Sequence, residues 1–375
     1  MKELALERLV PDFVRRFEPY VPSRPDDELK RLYGVSHLHR LNNNENPLGP
    51  PRSAREAIRS FDPGLAAVYP SGDAAHLRKA LGARHGRSPE GFLVGNGANE
   101  VIGFVLKAFC REGDNVVTAD RTFAVYEWNA RFSGVDARLV PLRDGAFDDE
   151  GLLARIDERT RVVFLCNPNN PTGAWWDRSR LVRFLDAVDG RAIVVLDEAY
   201  AEFVESPDYP DGVSLVEDFP NVVVFRTYSK MWGLAALRVG WLYADIRVVD
   251  TVRRTCVVYS VNALAQLAAE AVTTAADAGE HVEATRRLVR EGKEMLSRAA
   301  GRLGLPITSG EGPFVILGLP VSDSLAYRSL MSRGVMVRTM TGFRFPDSIR
   351  VSIGLPEALE AFVSALGKLL ARGNA

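Results

Sequence analysis

The 375-residue chain is poor in cysteine, and the three it has, Cys110, Cys166 and Cys256, are far apart and odd in number. That excludes a disulfide framework and a thiolate metal site; it fits free thiols packed as small hydrophobes in a reducing compartment. The five histidines, His37, His39, His76, His85 and His281, lack metal-ligand spacing, so no metal is expected. No apolar run approaches the roughly 18 residues of a membrane-spanning helix. The opening residues mix charges into an apolar periodicity, unlike a signal peptide, and a cytoplasmic protein is expected. An excess of either charge is missing too: 47 Lys and Arg against 48 Asp and Glu leave a net charge of −1. Whole-chain electrostatics therefore give no pull toward nucleic acid or an anionic membrane. Internal repeats and low-complexity tracts are absent.

What is present is long enough for about two domains, at roughly 100–200 residues each. Short, β-branched, almost continuously apolar runs at 91–94, 115–118, 161–166, 192–196, 222–226 and 239–243 alternate with helical patterns such as 100–109 and 178–188. Such runs suit strands buried on both faces of a largely parallel sheet covered by helices. The C-terminal third differs. A long helical region at 264–303 precedes strand-like runs at 314–317, 335–338 and 350–353, and a last helix at 356–370. This predicts a large α/β domain over 42–263 and a smaller α+β domain from 264–375, with the Pro- and charge-rich residues 1–41 packed on it.

Four strand candidates end in polar, turn-forming sequence, where open α/β sheets bind ligands. Gly95-Asn96-Gly97-Ala98-Asn99-Glu100 precedes an apolar helix; its backbone amides can cradle a phosphate, and Asn99 can cap the helix. Asn167-Pro168-Asn169-Asn170-Pro171-Thr172-Gly173 is a stiff loop that can hold the Asn170 amide in one orientation. Asp197-Glu198-Ala199-Tyr200 puts acids at a buried strand end, which is costly unless something positive meets them. Thr227-Tyr228-Ser229-Lys230, with Arg238 eight residues on, sets a lysine beside hydroxyls and a phosphate-gripping fork. Each has an ordinary reading: a capped turn, a rigid loop, a salt bridge, a solvated lysine. Together they supply a phosphate cradle, a carboxylate for a pyridinium nitrogen, a ring-hydroxyl partner and an imine-forming amine, which is what pyridoxal phosphate (PLP) requires.

In this order the four motifs resemble the fold-type I PLP-dependent aminotransferases over nearly the whole chain. The resemblance implies a mostly parallel seven-stranded sheet with a smaller α+β domain. It implies that Lys230 binds the cofactor aldehyde and acts in catalysis with Asp197 and Tyr200. Asp197 would pair with the ring nitrogen, Asn170 and Tyr200 with the ring hydroxyl, and Phe123 would lie over the ring. Ala98, Asn99, Thr227, Ser229 and Arg238 would bind the phosphate. A narrower resemblance, to the histidinol-phosphate aminotransferases, lies in Leu41-Asn42-Asn43-Asn44-Glu45-Asn46-Pro47-Leu48-Gly49-Pro50, Tyr69-Pro70-Ser71-Gly72, Pro19-Tyr20, Gly334-Val335-Met336-Val337-Arg338 and Ile349-Arg350-Val351-Ser352-Ile353-Gly354. It implies a homodimer in which Tyr69 reaches the neighbour's cofactor phosphate. Tyr20, Asn46, Arg338 and Arg350 would bind substrate, and 2-oxoglutarate would accept the amino group. Asn99, Arg121 and the stretch Met340-Thr341-Gly342-Phe343-Arg344 depart from that pattern, with no aromatic hydroxyl near Phe343. An added cation at Arg121 or Arg344 could favour a different anion. An aromatic or other amino-acid aminotransferase, and a decarboxylase of an amino-acid phosphate, share the scaffold and stay open.

Overall fold

A computed structural model describes residues 6–15, 17 and 24–373. Its strands are β1 (His39–Leu41), β2 (Phe92–Gly95), β3 (Asn115–Ala119), β4 (Asp136–Val140), β5 (Thr160–Cys166), β6 (Ile193–Asp197), β7 (Val222–Thr227), β8 (Gly240–Ala244), β9 (Ile307–Thr308), β10 (Phe314–Gly318), β11 (Val335–Thr339) and β12 (Ser348–Ser352). Seven form one sheet in the order β2-β8-β7-β6-β5-β3-β4; five form another in the order β1-β11-β12-β10-β9. In the larger sheet β8 alone runs against its neighbours, and the remaining pairs are parallel. The fold class is thus α/β with a mostly parallel seven-stranded sheet, as the motifs imply.

The central strands explain themselves. Val163, Phe164, Val194, Val195, Val223 and Val224 are all fully buried, so both faces of the sheet need cover. Helices between the strands supply it, among them Ala98–Phe109 and Arg178–Val188. The latter starts where Asp177 accepts the backbone N–H of Arg180 at 2.7 Å, a good N-cap. Register then assembles one end of the sheet: Cys166 lies beside Asp197, Asp197 beside Phe225, Thr227 beside Gly240, and Gly240 beside Gly95. The segments that leave β2, β5, β6 and β7 therefore emerge together. In the smaller sheet the same logic sets Arg338 directly opposite Arg350.

Two expectations need correction, and one strand was missed. The helical region 264–303 is two helices, Ala263–Thr274 and Ala278–Leu303. The first ends where Thr273 and Thr274 turn their hydroxyls back onto the carbonyls of Ala269 and Glu270, an alternative that competes with continuing the helix. Asn99 is not the N-cap of the helix Ala98–Phe109; Gly97 occupies that position, with no side-chain cap. Strand β4 went unpredicted because its Asp136 and Arg138 interrupt the apolar pattern, as edge strands often do.

The stretch before Asn42 contacts the smaller sheet and, upstream, the end of the helix Val125–Arg131. Strand β1 pairs with β11, and Leu29 and Leu38 pack with Met331 and Met336. Further upstream, Phe17 meets Phe132 edge-on at 5.6 Å. Among the described residues no helix is long and apolar enough to cross a membrane, and no cluster of three or more His, Cys, Asp or Glu could hold a metal ion.

Candidate active site

The turn after β2 forms a cradle. Gly97 takes φ +81°, and a Cβ there would lie 2.4 Å from Nη2 of Arg238; only glycine lets the guanidinium lie so close. Arg238, itself at φ +59°, donates from Nη1 to the Ala235 carbonyl at 2.8 Å and to Ser229 Oγ at 3.4 Å. The Ser229 amide donates to Thr227 Oγ1 at 3.0 Å. Ala98 and Asn99 open a helix without a side-chain cap, so its first amides stay available to an anion, with the helix dipole behind them. The expected phosphate residues are brought together.

Asp197 ends β6 and is 3% exposed. Its Oδ2 accepts from the Tyr126 hydroxyl at 2.5 Å, and Oδ1 from the Ala199 amide at 3.1 Å. Burial raises its pKa, opposed by those two donors and by the nearby Lys230 ammonium. Neighbouring Glu198 plays a different part. It is buried against Arg226, which donates to it at 2.9 and 2.7 Å, and it accepts the Gly212 amide at 2.9 Å. This pair ties β6 to β7. Sequence reasoning assigned a role to Phe123 and missed Tyr126 three residues on. The available signal was a tyrosine in an apolar stretch, whose hydroxyl needs a partner once buried.

Lys230 follows β7 and is half-buried. Its Nζ donates to the Asn43 carbonyl at 2.8 Å, and it forms no ion pair among the described residues. Burial first, and the Arg350 cation second, lower its pKa to about 8, toward an amine that is neutral often enough to react.

Asn170 and Tyr200 are both buried. Asn170 Oδ1 accepts from Arg350 Nη1 at 2.6 Å, and its NH2 group keeps no partner among the described residues. Tyr200 accepts at its oxygen from Asn44 Nδ2 at 2.9 Å. Phe123 lies 5.6 Å from the Tyr126 ring, edge-on. Asn169, which sequence reasoning left aside, holds this arrangement: it accepts from Thr122 at 2.7 Å and donates to the Arg121 carbonyl and to Thr172.

Among the expected substrate residues, Arg350 is 5% exposed and donates from Nη2 to the Asn42 carbonyl at 2.8 Å. Its Nε is buried without a partner. Burial lowers its pKa to about 10, opposed by Tyr200 and helped by Arg338. Both guanidiniums lie over the Phe343 ring, at 5.5 Å for Arg338 and 5.9 Å for Arg350, and neither has an ion-pair partner among the described residues. Asn46 donates to the Met231 carbonyl at 2.7 Å and to Thr285 Oγ1 at 3.1 Å, so its amide is engaged within the chain. Tyr69 is 80% exposed and stacks on Tyr259 at 4.8 Å. Tyr20 lies outside the described residues.

The two arginines considered as extra anion ligands are spent elsewhere. Arg344 donates to both oxygens of Glu127, at 3.1 and 2.9 Å, and to the Asp120 carbonyl at 2.6 Å. Arg121 pairs with Asp120 at 3.4 Å and lies over the Phe345 ring.

Comparison with known proteins agrees with this geometry. Residues 36–366 match the family model described as aminotransferase class I and II. The chain is 38% identical to a histidinol-phosphate aminotransferase of Anaeromyxobacter sp. (strain Fw109-5), covering 96% of this chain and 99% of that one. It is 40% identical to histidinol-phosphate aminotransferase 2 of Pseudomonas aeruginosa, covering 96% of each. The crystal structure of histidinol-phosphate aminotransferase from Sinorhizobium meliloti in complex with pyridoxal-5'-phosphate superposes with a TM-score of 0.86, at 25% identity and 98% coverage of both chains. A PLP-type site at the carboxyl ends of the strands, and likeness along nearly the full length, together identify this chain as a member of the class I and II aminotransferases.

Proposed function

We propose that the protein is a PLP-dependent aminotransferase whose amino donor is L-histidinol phosphate and whose acceptor is 2-oxoglutarate, acting in histidine biosynthesis. The observation that carries the reading is Lys230, which follows the cradle residues Thr227 and Ser229, donates from Nζ to the Asn43 carbonyl at 2.8 Å and has no ion pair among the described residues, with burial lowering its pKa. The residues present fit PLP. Gly97 leaves room for Arg238 at the cradle, and the Asn170 NH2 group has no partner among the described residues. The curated relatives that bear the histidinol-phosphate name support the donor.

When bound, PLP supplies an aldehyde and an electron sink. Lys230 Nζ would hold the cofactor at its aldehyde and, freed when the substrate's amine takes its place, would carry the proton from the carbon that bears that amine. Asp197 supplies a buried negative charge that favours a protonated ring nitrogen. Asn170 and Tyr200 offer donors to the ring hydroxyl, and Phe123 an aromatic face. Ala98, Asn99, Thr227, Ser229 and Arg238 would hold the phosphate. Arg350 and Arg338 lack a carboxylate partner among the described residues and would draw the substrate's anionic group against Phe343. Tyr20 and Asn46 are proposed to contribute to the same pocket.

We further propose a cytoplasmic homodimer, divided into a cofactor-binding unit of residues 42–263 and a smaller unit of 1–41 with 264–375. The Tyr69–Tyr259 stack supports the dimer, since Val68, Val257 and Val258 beside it are also exposed, a patch of the kind that subunit contacts cover. Through it Tyr69 would reach the neighbour's cofactor phosphate. The test is the visible absorbance of the PLP-loaded protein. Bleaching by L-histidinol phosphate and recovery with 2-oxoglutarate are expected. A band that ignores histidinol phosphate and bleaches with another amine would overturn the donor; no band after adding PLP would overturn the cofactor.

A further inference from the structure

Residues 42, 43 and 44 touch three different site residues in succession. The Asn42 carbonyl accepts from Arg350, the Asn43 carbonyl accepts from Lys230, and the Asn44 side chain meets Tyr200. Asn44 is 1% exposed and sits at φ +54°, a left-handed conformation that asparagine tolerates better than most residues. It is also bound to β12. Its backbone N–H donates to Ser352 Oγ at 2.9 Å, and its Oδ1 accepts from that hydroxyl at 2.8 Å.

Hydrogen-bond logic fixes the orientation of the amide. Ser352 Oγ already accepts the Asn44 backbone N–H, and its own proton goes to Oδ1 of the same residue. Nδ2 therefore faces Tyr200 and donates to the phenol oxygen. A phenol has one proton. With its oxygen taken as an acceptor by Asn44, that proton is free to be given elsewhere.

We propose that Asn44, oriented by Ser352, is a positioning residue that holds Tyr200 as a hydrogen-bond donor toward the cofactor. The proposal rests on the PLP reading above and adds a residue that acts through Tyr200. It also ties the phenol to the strand that carries Arg350, two residues before Ser352.

The test replaces Asn44 with its near-isostere. In Asn44→Asp both side-chain oxygens only accept, so the Tyr200 proton turns toward residue 44 and away from the site. A cofactor ring oxygen that loses a donor becomes more basic and holds a neighbouring proton more tightly. The pH midpoint of the visible absorbance of the PLP-loaded protein is expected to rise by about one unit. Ser352→Ala, which adds no charge, is expected to shift the midpoint the same way by less. Because Asn44→Asp also adds a charge, the comparison is repeated in a Tyr200→Phe background. There Asn44→Asp is expected to add only the smaller shift that its charge causes by itself, since the two substitutions remove one and the same hydrogen bond. A wild-type midpoint in Asn44→Asp, or an equal further shift without the phenol, would overturn the positioning role. A wild-type protein without a visible band would overturn the PLP reading and this inference with it.

Discussion

The Tyr126 hydroxyl donates to Asp197 Oδ2 at 2.5 Å, while the Tyr126 ring stacks on Phe164 with centroids 4.7 Å apart. The stack fixes the ring and the hydroxyl fixes the carboxylate. Tyr126→Phe keeps the first and removes the second, leaving a buried carboxylate oxygen without its donor, at a cost of about 1–3 kcal/mol. That donor opposes the burial that raises the pKa of Asp197. Its loss raises the carboxyl further, so the ionised form disappears at a higher pH. The acid limb of the kcat/KM profile is expected to move upward by roughly one unit. A pH–rate profile with an unmoved acid limb would remove Tyr126 from the site.

Gly97 and Arg238 make a second measurable contact. An alanine Cβ at position 97 would sit 2.4 Å from Arg238 Nη2, and the φ of +81° is unfavourable to any side chain. Gly97→Ala should displace the guanidinium from the cradle and weaken PLP binding by about tenfold or more, for a loss of roughly 1.4 kcal/mol or above in a charge-assisted contact. Equilibrium titration of the cofactor-free protein with PLP reads this directly. Unchanged affinity would mean that the cradle does not hold the phosphate.

How much of this was legible in the sequence follows from where each signal lives. Strands β5 to β7 announce themselves because burial on both faces demands continuous apolar runs, and the polar residues at their ends stand out against them. Asp197, Asn170, Lys230 and Arg238 were accessible for that reason. Tyr126, Asn43 and Asn44 were not assigned roles, because each acts through a contact made at long range: Tyr126 across 71 positions to Asp197, Asn44 across 156 to Tyr200. The use of a backbone carbonyl, as at Asn43, leaves no mark on residue type at all. Arg344 misled for the converse reason. Its charge is visible in sequence, but its partner Glu127 lies 217 positions away.

That Arg344–Glu127 pair joins the loop before β12 to the helix Val125–Arg131, directly beside Tyr126. The loop is held from its other side by buried Asp323, which accepts the amides of Met340 and Thr341 at 2.9 and 2.8 Å. Phe343, between these anchors, lies against Arg338 and Arg350. Arg344 is 45% exposed, so its loss should lower stability by under about 1 kcal/mol. Its effect should fall instead on substrate binding. Arg344→Met is expected to raise KM for the amino donor several-fold while kcat stays within about twofold, the pattern of lost uniform binding. Added salt should narrow the gap between variant and wild type by screening the pair in the latter. Steady-state kinetics with equal KM values would release the loop from this role.

Lys230 and Arg350 set the pH at which the lysine reacts. Burial and the neighbouring Arg350 cation lower the amine to about 8 from an ordinary 10.5. The neutral amine is the reactive form, so its fraction falls about tenfold for each pH unit below that midpoint. The rate at which cofactor-free protein captures PLP should therefore rise through pH 8 and level off above it. A lysine with an ordinary pKa would still be gaining beyond pH 10. Removing the cation in Arg350→Met removes one cause of the depression, so the midpoint should move upward. Burial remains as the larger cause, so the shift should stay short of the ordinary value. Lys230→Ala should capture no PLP covalently, develop no visible band and lose turnover. Stopped-flow absorbance across pH 6 to 10 separates these cases. A wild-type capture rate that climbs without a break, or a Lys230→Ala variant that transaminates at the native rate, would show that another group carries the chemistry.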